Sequence, residues 1–103
     1  MVPEPAISHG VLARYAADAA REVDGVAGLA ESPLHRGKAV AVTGGEDALA
    51  VGVALELEWG RRAADVAAEV QQRVSEYLVR MADVRPASVD VVVDAVSAPP
   101  PKR

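Results

Sequence analysis

Between Leu49 and Trp59 the chain alternates: Leu49, Val51, Val53, Leu55, Leu57 and Trp59 share one parity, and Ala50, Gly52, Ala54, Glu56 and Glu58 the other. A two-residue period sends successive side chains to opposite faces of an extended backbone, which predicts a half-buried strand. Two other stretches carry a helical period. After Ser8, a capping residue, Val11, Leu12, Tyr15, Ala16, Ala19 and Val23 form one stripe, predicting a first helix that ends near Gly25. Ala63, Val66, Ala67, Val70, Val74, Tyr77, Leu78 and Met81 form a longer stripe, ended by Arg85-Pro86 because a residue before proline is pushed out of the helical region. Val40 and Val42 make a short strand, stopped by the turn residues Gly44-Gly45-Glu46-Asp47. Val89, Val91, Val93 and Ala95 alternate with Asp90, Val92, Asp94 and Val96 in a closing strand. Val26 to Lys38, punctuated by Gly28, Pro33 and Gly37, reads as a loop in which Val26 and Leu29 tuck under the core.

The predicted order is α-β-β-α-β. A small sheet buries its apolar face by laying helices on it, so the expected fold is an α+β two-layer sandwich, a three-stranded sheet with two helices on one face. Residues 7–97 form the single domain, with a flexible N-terminus over 1–6 and a flexible, Pro-rich, basic tail over 98–103. At 103 residues there is room for one core. With 21 Ala, 18 Val and no Phe, that core is built from small branched side chains.

Charge and chemistry narrow the function classes. Eleven basic against 15 acidic side chains leave a net charge of −4, which disfavours a nucleic-acid coat or a polybasic membrane binder. With no Cys there is no thiolate metal site and no thiol nucleophile. The start, Met1 to Pro5, lacks a basic leader region, and no apolar run approaches the roughly 20 residues of a membrane helix, so the expected location is the cytoplasm. His9 and His35 have no partner motif and are expected in solvent. Gly44-Gly45 is followed by acids that would repel a phosphate. Glu56, Glu58, Asp90 and Asp94 line one sheet face, where a solvated surface competes with a cation site. No catalytic group, cofactor or metal is expected.

Ala50, Gly52, Ala54, Val92 and Val96 leave that face low enough for another chain to approach, which makes it the candidate partner surface. Ala54→Arg is then expected to weaken self-association while leaving the monomer folded. Arg61 and Arg62 open the second helix against its dipole, a placement that suits an anionic partner or simple solubility. Trp59, on the core parity, is expected to pack over the end of the sheet. The topology is shared with KH-like RNA-binding modules, the alternative reading. Their clamp needs a basic GxxG loop, whereas Gly25-Val26-Ala27-Gly28 is preceded by Asp24 and followed by Glu31, so nucleic acid is not the expected partner.

Laid out in order, four stretches resemble the alkaline shock protein family, small envelope stress response proteins of Gram-positive bacteria. Ala19 to Leu29 is similar to its A-x-E-V-[ED]-G-V-x-G-L run, and Gly37 to Val42 to its glycine-led valine strand. Leu55 to Gly60 with Val66 to Gln71 resembles its aromatic-Gly pair before a V-A-x-x-V-Q helix, and Val89 to Val96 its closing strand. Trp59 stands where tyrosine is more usual, and Met81-Ala82-Asp83 where a Met-Thr-Gly-like helix end is more usual. The resemblance implies a non-enzymatic protein linked to envelope stress. It also implies a protein that self-assembles and is held near the membrane by a membrane-anchored protein partner, without inserting itself.

Overall fold

The structure is a computed structural model that describes residues 8–45 and 48–99. The first helix, α1 (His9–Arg21), begins where expected, with the Ser8 hydroxyl accepting a hydrogen bond from the Val11 N–H at 3.1 Å. Four strands follow the order β1 (Val26–Leu29), β2 (Val40–Thr43), β3 (Ala50–Leu57) and β4 (Ser88–Val96), with α2 (Ala63–Ala82) between the last two. The fold is the expected α+β sandwich, but the sheet has four strands rather than three and the element order is α-β-β-β-α-β. The predicted turn residues Glu46 and Asp47 lie outside the described residues, as do 1–6 and, of the tail, 100–103.

The added strand is β1, read from sequence as loop. β3 is central: β4 runs parallel along one edge for its whole length, while β2 pairs with Ala50 to Val53 and β1 with Leu55 to Leu57, both antiparallel. Since a strand has two edges, β1 and β2 share the second one end to end. Four residues with a register shift between Val26 and Gly28 carry no readable alternation, so β1 owes its conformation to its partner.

The core lies between the sheet and the helices. Val51, Val53, Leu55 and Leu57 pack with Leu12, Ala16, Ala19 and Ala20 of α1 and with Val66, Val70, Val74 and Leu78 of α2. Tyr15 and Tyr77 meet edge-on across the helix pair, ring centres 5.9 Å apart at 82°. The alternation in β4 breaks once. Leu55 faces Val93 but Glu56 faces Ala95, so Asp94 is an extra residue, and beyond it the parity of Ala95 and Val96 is exchanged.

α2 ends three residues before the expected Arg85-Pro86 stop. Asp83 takes φ +52°, and its N–H and that of Val84 donate back to the Val79 and Leu78 carbonyls. This is the left-handed helix stop that glycine adopts without steric cost. Asp83→Gly is expected to raise stability by about 0.5–1 kcal/mol, read as an upward shift in thermal midpoint.

Candidate functional site

The face of the sheet turned away from the helices carries the predicted partner surface. Strand pairing sets Ala50 beside Ser88, Gly52 beside Asp90 and Ala54 beside Val92, so Ala50, Gly52, Ala54 and Val92 do form one contiguous face. That face is not bare. The connection from β1 to β2 folds across it through a short helical turn, Pro33–His35, closed by a bridge between Ser32 and Lys38. Its two ends grip Ala54: the Ala30 N–H donates to the Ala54 carbonyl at 3.0 Å, and the Ala54 N–H donates to the Ala39 carbonyl at 2.8 Å.

Ala54 is 0% exposed yet stands apart from the main core cluster, and Ser32 in the covering loop is buried as well. The expectation that Ala54 lies open to a partner is therefore corrected: it is part of a second small core beneath the loop. His35 is corrected with it, being half-buried rather than in solvent. A Cβ built on Gly52 would come within 2.7 Å of His35 Nε2, so the imidazole occupies the space that the missing side chain leaves. His35 Nδ1 is buried with no hydrogen-bond partner among the described residues. Gly52 was legible as a site of close approach, but what approaches is this chain's own loop.

Arg61 and Arg62 sit at the other end of β3, where it turns into α2. Arg61 donates to Asp24 at 2.8 Å and lies 3.3 Å from Glu58, so it joins the turn after α1 to the turn before α2. The Asp24 hydrogen bond and charge, with a smaller contribution from Glu58, hold its guanidinium pKa above the ordinary value. Arg62 is open to solvent, 3.7 Å from Asp65. The structure does not bring these two arginines to the small-residue face.

Trp59 departs furthest from expectation. β3 ends at Leu57, and the Trp59 N–H donates to Ser97 Oγ at 3.0 Å, which turns the indole outward to 59% exposure. Val96 at the end of β4 is also open, 52% exposed. β4 as a whole is an edge strand: none of its nine residues is fully buried, and among the described residues only β3 pairs with it. Asp90 and Asp94 are exposed along it.

The Gly25-x-x-Gly28 spacing is built into the start of β1, where Gly25 lies against α2 and its carbonyl accepts from the Glu58 N–H at 2.9 Å. It is not a projecting clamp loop. A half-open cleft of about 340 Å³ between the helices is lined by Ala19, Tyr77 and the charged Glu22, Arg73, Glu76 and Arg80. Among the described residues no three His, Asp or Glu side chains converge as metal ligands would, and no helix is long and apolar enough to cross a membrane.

These observations define a two-layer α+β domain whose sheet, among the described residues, has β4 along one edge and β1 and β2 along the other. The chain belongs to the alkaline shock protein 23 family, described as having a cell envelope-related function, which it matches over residues 4–98. The comparison with curated proteins gave no match. Among solved structures the fold is similar to the manganese form of a MamM CTD variant, at 17% identity and TM-score 0.55, covering 85% of this chain and 99% of that one. The nickel form of another MamM CTD variant is similar at 16% identity and TM-score 0.54, covering 84% and 96%. At such identities the likeness is one of fold.

Proposed function

We propose that this is a non-enzymatic interaction module of the cell envelope stress response. It self-associates, and a membrane-anchored protein partner brings it to the inner face of the membrane. The observation that carries this reading is β4: nine residues, rich in valine, with one edge unpaired among the described residues. Such an edge offers a row of backbone donors and acceptors to an added strand, and flanking aspartates discourage indiscriminate pairing. Family membership supplies the envelope context. Recruitment through a partner follows from the acidic balance, which gives an anionic bilayer little to attract.

Val92→Lys, at a half-buried position on β4, is expected to weaken self-association about tenfold or more while the far-ultraviolet dichroism stays unchanged. Sedimentation velocity over a concentration series reads this, and an oligomer of unchanged strength refutes the β4 edge as the contact. The unmodified chain is also expected to stay behind when protein-free phosphatidylglycerol vesicles are floated; co-flotation would overturn recruitment through a partner.

A further inference from the structure

The end of the sheet holds a largely exposed aromatic side chain. Trp59 and Val96, 59% and 52% exposed, are neighbours there because Ser97 ties them: its N–H donates to the Leu57 carbonyl at 2.8 Å and its hydroxyl accepts from the Trp59 N–H at 3.0 Å. Ser97 is also the root of Ala98-Pro99-Pro100-Pro101-Lys102-Arg103. An exposed indole and a proline run are chemically matched, since aromatic faces are what proline-rich segments dock on.

From this we infer that Trp59 and Val96 form the docking site for the Pro99 to Arg103 segment of a second copy of this chain. The inference rests on the self-association reading and adds a contact continuous with the end of β4. Geometry favours the second copy over the same one. Proline confines φ to near −65°, so a run of three prolines disfavours the tight turn that docking on an indole beside its own root would need. Since site and segment leave from the same end of the molecule, two copies facing end to end exchange segments reciprocally, a closed and self-complementary arrangement. Charge agrees. At this end Asp24, Asp65 and Asp94 are exposed and Glu58 half-buried, against Arg61 and Arg62, while the segment carries Lys102 and Arg103.

Trp59 is the one tryptophan in the chain, so its fluorescence reports the site directly. The full chain is to be titrated in concentration, following emission and sedimentation together, beside Trp59→Ala and a triple Pro99→Ser, Pro100→Ser, Pro101→Ser variant. Emission is expected to move to shorter wavelength as copies associate, and this shift is absent in the triple variant. Both variants weaken association about tenfold or more. Since Trp59 is exposed and Pro99 follows the last residue of β4, unchanged dichroism is expected in each. A shift that survives the proline changes overturns the inference. So does emission that is blue-shifted and proline-dependent at every concentration, which would place the segment on its own Trp59. Association without any emission change defeats this contact alone, whereas no association at any concentration defeats the parent reading with it.

Discussion

Ala54→Arg is expected to unfold the domain or bring it close to unfolding, with a loss of about 3 kcal/mol or more in urea denaturation. The Ala54 side chain has no exposed surface, and both its backbone groups are bonded to the ends of the loop that covers it. An arginine there must force Pro33–His35 off the sheet or hold a charge in a dry space. The prediction reverses the one that strand parity suggests, in which the same change is harmless to the monomer. Arg62→Ala, at a solvent-facing position, serves as the contrast and should stay within about 0.5 kcal/mol of the parent. An Ala54→Arg protein with an unchanged urea midpoint would mean that the loop does not seal this face.

That reversal marks where sequence reading stops. Periodicity located β3, β4 and both helices because each buries one face along its length, and a repeating burial requirement leaves a repeating pattern. Residues 30–39 also bury side chains, but through a bridge, a helical turn and one imidazole over Gly52, and none of these repeats. β1 was hidden for the related reason that its conformation is set by Leu55 to Leu57, some thirty residues away in the chain. In β4 the alternation holds up to Val93, and one inserted residue, Asp94, then exchanges the faces of the last two positions.

Trp59 shows the limit of parity at an element's end. It continues the alternation of Leu55 and Leu57, yet the strand stops at Leu57 and the Trp59 N–H is taken by Ser97, 38 residues on in the chain. Alternation predicts a face only while the ladder lasts. The resemblance, by contrast, rested on the order of several loose motifs, and its glycines mark junctions that can now be given physical reasons.

Gly25→Ala is the second change expected to be severe, at about 2–5 kcal/mol. Gly25 has φ +99°, outside the region open to other residues at little cost, and a Cβ there would lie 2.7 Å from Val66 Cγ2 and 3.5 Å from Arg61 Cγ. Backbone strain contributes about 1–2 kcal/mol and the overlap with α2 about 1–3 kcal/mol. The two parts are separable. Val66→Ala removes the overlapping methyl but leaves the dihedral, so the double variant should be less destabilised than the sum of the singles, by an interaction of about 1 kcal/mol or more in a urea double-mutant cycle. Arg61→Ala breaks the Asp24 pair at the same junction, but that pair is open to solvent on the Asp24 side, so the change should be clearly milder than Gly25→Ala. If Gly25→Ala proves as mild as Arg61→Ala, the turn after α1 does not seat on α2. The junction that turns Trp59 outward would then be held by the Ser97 hydrogen bond rather than by packing.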